Sequence, residues 1–88
     1  MSLIYERRIE VLKKDTRVID AYVVNFYIVK VRYKFFNFIQ FTSNELINDI
    51  NLNEVDEKDW YKIKMAVKAA EYTILSNNAE LMIDHKND

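Results

Sequence analysis

The sequence predicts an α+β domain. An antiparallel sheet of about three strands, over residues 3–12, 18–29 and 33–42, precedes a short helix over 43–50 and a long C-terminal helix over 56–77, packed on one face of the sheet. Three observations carry this. From Val18 to Thr42 nearly every residue is β-branched, aromatic or long-chained, the residue types that suit a pleated, half-buried surface. From Trp60 to Ile74 the apolar residues recur at steps of three and four, the helical period. With 88 residues the chain makes at most one domain, expected over residues 1–82, with 83–88 as a polar tail.

In the first element Leu3, Tyr5, Ile9 and Val11 alternate with Ile4, Glu6, Arg8 and Glu10, a period near two that favours a strand. Arg7 sits on the apolar side. The rival is a short helix, in which Ile4, Arg8, Val11 and Leu12 share one face. Lys13 to Arg17 reads as a polar connection, with Asp15 and Thr16 bonding locally to backbone. The stretch from Val18 to Thr42 must fold back, because as one strand it would run about 80 Å in a domain roughly 30 Å across. Candidates for the bend are Asn25 and Asn37, which tolerate left-handed dihedrals, or the charged segment Lys30 to Lys34. Thr42-Ser43-Asn44-Glu45 has the form of a capping box and predicts the short helix. Asn51 and Asn53 mark a loop. Trp60, Ile63, Val67, Ala70 and Ile74, with Leu75 beside them, line one face of the long helix.

Composition excludes several kinds of function. A domain this small buries only about 60–65% of the surface its unfolded chain exposes, and small domains commonly add disulfides, a structural metal or self-association. There is no cysteine, so disulfides, thiolate zinc sites and cysteine nucleophiles are out, and self-association is the option left. Glycine is also absent, which excludes phosphate-binding loops of the P-loop and dinucleotide types, whose backbone approach only glycine permits. Glycine and proline have GC-rich codons, whereas the abundant Ile, Asn, Lys, Tyr and Phe have AT-rich ones. That pattern fits low-GC bacteria, their phages and viruses of thermophilic archaea. No basic segment followed by an apolar one marks a secretory signal. Asp20, Asn25, Lys30, Arg32 and Lys34 interrupt the apolar run, so it does not form a membrane span. A cytoplasmic location is the expectation.

Candidate chemistry is sparse. Glu54, Asp56, Glu57 and Asp59 precede the long helix; a metal site or a mimic of nucleic-acid phosphates is one reading, but carboxylates at the positive end of a helix dipole need no ligand to explain them. His85, the single histidine, stands beside Asp84 in the polar tail, and Ser2, Ser43 and Ser76 have no motif around them. No catalytic, cofactor or metal residues are expected, and the chain reads as a non-enzyme.

Charge is informative once the chain is divided. Residues 1–34 hold eight Lys/Arg against four Asp/Glu, and residues 35–88 hold five against ten. Lys30, Arg32 and Lys34 alternate with Val31, Tyr33 and Phe35, so on a strand the cations share one face. Basic residues interleaved with aromatics suit single-stranded nucleic acid, which is the alternative reading. The main reading is protein binding. Tyr22, Val24, Phe26 and Ile28 lie on one face of the second strand, and Val23, Tyr27 and Val29 on the other. One helix covers one face of a sheet. The opposite face needs another segment of the chain, a second copy in a homodimer, or a different protein. Tyr22, Phe26, Lys30, Arg32 and Lys34 are the expected partner-binding residues, and a host protein or complex is the expected partner.

The order of sheet then helices, with a long final helix, is similar to that of many phage and archaeal-virus accessory proteins, anti-CRISPR inhibitors among them. That resemblance implies binding and blocking of a host defence complex. Around Lys68-Ala69-Ala70 the chain also resembles a double-stranded-RNA-binding domain, though the basic helix start of that family is replaced here by the acidic Asp56-Glu57-Lys58-Asp59.

Overall fold

The computed structural model describes residues 5–35 and 39–83. Strands β1 (Tyr5–Ile19), β2 (Tyr22–Phe35) and β3 (Ile39–Asn48) form one antiparallel sheet in the order β1-β2-β3. Two single 3₁₀ turns, Leu52–Glu54 and Glu57–Asp59, lead into helix α1 (Trp60–Asn77), and one further helical turn, α2 (Ala79–Met82), follows. The predicted fold class is therefore present: three antiparallel strands and a long C-terminal helix.

The strands are longer than expected. At about 3.3 Å per residue the 15 residues of β1 span about 50 Å, which matches the longest molecular extent of 48 Å. Lys13 to Arg17 is not a connection but the second half of β1, where it pairs with Val24 to Ile28. The bend lies at Asp20-Ala21, between the paired Ile19 and Tyr22. Asp20 takes φ 58°, the left-handed region that glycine or a short polar side chain tolerates, and its carboxylate meets Lys62 Nζ of α1 at 3.3 Å. Asn25 and Lys30 to Lys34 are not bends; both lie inside β2. Asn37 lies outside the described residues.

The short helix expected over 43–50 is absent. Residues 43–48 belong to β3 and pair with β2 from Phe26 to Val31. The capping-box pattern is a local signal, and central strand β2 offers a second row of backbone partners that outweighs it. The end of β3 is pinned by Asn25, whose backbone N–H and side-chain amide each donate to the Asp49 carboxylate at 2.8 Å, while Asp49 N–H donates back to Asn25 O at 3.1 Å. The Asn25 amide and then its backbone N–H hold the Asp49 pKa below the usual carboxylate value.

Irregular pairing in β1 sets which side chains face the helix. Val11 pairs with Val29 and Lys13 with Ile28, so Leu12 is the extra residue of a β-bulge. Leu12 packs against the core, and Lys13 Nζ donates to Asn78 Oδ1 at 2.7 Å. The bulge therefore turns two consecutive residues to the helix side.

The core is one layer deep. Val24, Phe26 and Ile28 of β2 meet Ile63, Val67 and Ile74 of α1, with Val55 from the connecting segment and Leu12, Ile19, Tyr22, Leu46, Ala70, Leu81 and Met82 around them. Leu81 and Met82 pack against the core from α2. Trp60, expected on the buried stripe, is 41% exposed and has Lys64 Nζ 5.2 Å from its ring centre. The helix begins at Trp60, not Asp56, because Glu57–Asp59 forms a separate 3₁₀ turn capped by the Asp56 side chain. The shortest extent is 16 Å, the thickness of one sheet and one helix. The Cα radius of gyration is 16.3 Å against about 12 Å for a compact chain of this length. Among the described residues no helix is long and apolar enough to cross a membrane.

Candidate interaction surfaces

An 18-residue helix is about 27 Å long and covers about eight residues of strand. That is the length of Tyr22 to Val29. The expected partner-binding residues Tyr22, Phe26, Lys30, Arg32 and Lys34 all occupy even positions of β2 and share the face that α1 packs on, but the cover stops part-way along. Phe26 is 1% exposed beneath the helix and Tyr22 is packed at the edge of the core; the Phe26 ring does not reach the surface. Arg32 and Lys34 lie beyond the cover, and Lys30 lies at its margin, half-buried beside Leu81 of α2 and Ile83.

There they join the opposite residues of β1 and β3. Across the ladder Glu6, Lys34 and Gln40 form one row, Arg8, Arg32 and Thr42 the next, and Glu10, Lys30 and Asn44 the third. Glu6, Arg8, Arg32, Lys34 and Gln40 line a shallow open depression, and Arg8, Glu10, Lys30 and Arg32 line its neighbour. Arg8 Nη2 meets Glu6 Oε2 at 3.2 Å. Among the described residues Lys30, Arg32 and Lys34 have no ion-pair partner. Arg8 and Arg32 stand directly opposite each other, an arrangement of like charges that costs stability. The aromatic side chains Tyr33 and Phe35 occupy odd positions and point to the other face. Lys30, Arg32 and Lys34 are thus on the opposite side of the sheet from Tyr33 and Phe35.

The odd-numbered face of β2 is different in character. Val29 and Val31 are each 1% exposed, although neither belongs to the core cluster beneath α1. Around them stand Ile9 and Val11 of β1 and Phe41 and Ile47 of β3, each between 42% and 57% exposed. Tyr33 and Phe41 have ring centres 5.2 Å apart, and Phe35 and Phe41 5.9 Å. The charges on this face are few. Arg7 and Lys14 lie on β1, the latter 6.0 Å from the Tyr27 ring centre. Glu45 lies on β3, where its Oε2 accepts from Tyr33 Oη at 3.5 Å.

No family model, curated protein or solved structure matches this chain. The sequence identified the apolar character of both faces of β2 but placed the binding residues on the face that the helix half covers. Ile9, Val11, Ile39, Phe41 and Ile47 were not singled out. The signal for them is that the odd positions from Val23 to Phe35, Asn25 excepted, stay apolar or aromatic, whereas the even positions become charged at Lys30. A third exposed group, Tyr61, Met65 and Tyr72, lies on the outer side of α1. Asp84 and His85 lie outside the described residues. Glu54, Asp56, Glu57 and Asp59 sit in or beside the two 3₁₀ turns, and no group of three His, Asp or Glu side chains able to hold a metal occurs among the described residues.

Proposed function

We propose that this chain is a non-enzymatic binding protein that docks its basic sheet end on an acidic surface of another protein and acts by occupying that surface. The observation that carries the reading is Arg32, exposed, unpaired among the described residues and set opposite Arg8, with Lys30 and Lys34 on either side. Side chains held together against their own repulsion gain most from an acidic partner. Glu6 and Glu10 within the same rows favour a protein surface of mixed charge over a phosphate backbone. The separation of Lys30, Arg32 and Lys34 from Tyr33 and Phe35 argues in the same direction, since a single-stranded nucleic-acid platform needs both in one groove. The composition, without glycine or proline, supports an accessory or inhibitor protein of a phage or virus with an AT-rich genome, and a host macromolecular complex as its target.

The test is capture from host-cell extract with the wild-type chain and with the triple variant Lys30→Glu, Arg32→Glu, Lys34→Glu, whose positions lie outside the core. A protein partner held by the wild type and lost at least tenfold by the variant supports the reading. Retention by the variant, or loss of the captured material on nuclease treatment, sinks it.

A further inference from the structure

We infer that the sheet face opposite α1 is occupied by a second copy of this chain, giving a twofold dimer with the layer order helix, sheet, sheet, helix. Contiguous apolar patches of this kind are rarely left bare on a monomer. The area suffices. Three strands about 4.8 Å apart and ten to fourteen residues long at about 3.3 Å per residue project roughly 500–650 Å². Side chains standing on that plane expose more than its projection, which approaches the ~800 Å² per partner of a stable interface.

The charges on the face argue for a second copy over an unrelated partner. Arg7 and Lys14 lie on edge strand β1, and Glu45 lies on edge strand β3. A twofold axis running along β2 lays β1 of one copy over β3 of the other, so each cationic edge meets the other copy's anionic edge. Glu45 shares its row with Val11, and Lys14 is in the next row, so the two charges approach within one step of the ladder. Along the axis Val29 and Val31 are already enclosed, so the contact between copies is made by Ile9, Val11, Phe41 and Ile47 on either side of them. A surface that complements itself under a twofold rotation is what an isologous interface requires. Stacked sheets about 10 Å apart fit this packing.

The full chain is tested by sedimentation equilibrium over a concentration series reaching about 0.5 mM, a range that detects even weak dimers. The expected mass is twice the 10.6 kDa of the chain. Val11→Lys and Ile47→Lys, both at exposed strand positions, are expected to raise the dimer dissociation constant at least a hundredfold while circular dichroism stays folded. Should either fail to fold, Tyr27→Cys, half-buried on the same face of β2, gives an independent readout in a chain that has no other cysteine. Sheets about 10 Å apart are too far for a direct disulfide, so its thiol should be joined to its twin at the dimer axis by a short bifunctional thiol reagent, whereas the thiol of Thr73→Cys on the exposed side of α1 should not. A wild-type monomer throughout the series overturns the inference. So does a dimer that folded Val11→Lys leaves intact, or equal cross-linking at positions 27 and 73.

Discussion

Ile63 offers the sharpest test of how the two layers are joined. Its side chain is 1% exposed and lies between α1 and the helix-facing side of β2. Ile63→Ala removes three carbons, worth about 2.4 kcal/mol at ~0.8 kcal/mol for each buried CH₂. A residual cavity of about 40 Å³ adds roughly 1 kcal/mol at ~24 cal/mol per Å³. The expected loss is therefore about 3 kcal/mol, a large part of the ~4–13 kcal/mol that stabilises a chain of this length. Urea unfolding, followed by circular dichroism and by the fluorescence of the single Trp60, reads it directly. With a slope near 1 kcal/mol per molar urea, the midpoint should fall by roughly 3 M. Tyr72→Ala, on the outer side of the same helix, is the control and should change stability by less than about 0.5 kcal/mol. Both are compared at one protein concentration, because the dimer proposed above would make stability depend on it. Equal midpoints for the two variants would refute the packing of α1 on β2.

Two further outcomes follow from the ends of the strands. Asp20→Val places a β-branched residue at φ 58° and should destabilise by about 1–2 kcal/mol. Asp20→Gly relieves the same dihedral at the loss of an exposed ion pair and should stay within about 0.5 kcal/mol of wild type; the same urea midpoints decide, and equal tolerance of Val and Gly would refute the left-handed turn. At Asp49 the folded pKa is depressed, so its stabilising contribution is fully present above the unfolded value near 3.9 and is lost as pH falls through the lower folded value. Asp49→Asn should therefore flatten the acid limb of stability against pH below about pH 4, and parallel acid limbs would count against the Asn25–Asp49 bonds.

What was legible in the sequence follows the strength of each signal. Ile63, Val67 and Ile74 recur at helical spacing with nothing to contradict them, and α1 formed where they predict. The two apolar faces of β2 were legible because strand parity is strict. The second half of β1 was not. Lys13, Lys14, Asp15, Thr16 and Arg17 form a polar run that reads as a loop, yet an edge strand gains its backbone partners from one neighbour and can carry charge outward. The bulge at Leu12 also breaks the alternation that would have revealed it. At Thr42 to Glu45 a local helix signal competed with a long-range pairing that no local pattern displays. For the candidate site, parity correctly placed Phe26 and Arg32 on one face, but not where along that face the helix ends. The length of α1 decides this, and the change from Ile28 to Lys30 marks it.

Strand β1 has one more consequence. It stands at the margin of the sheet for 15 residues, and a margin that long is a template on which another chain can add a strand. Glu6, Arg7, Arg8, Glu10, Lys13, Lys14, Asp15 and Arg17 crowd it with charge, and the bulge at Leu12 interrupts the even row of backbone groups an incoming strand would need. These features disfavour growth sideways into an endless ribbon, whereas the front-to-front stacking proposed above closes after two molecules. The same strand that lengthens the sheet also limits how it can propagate.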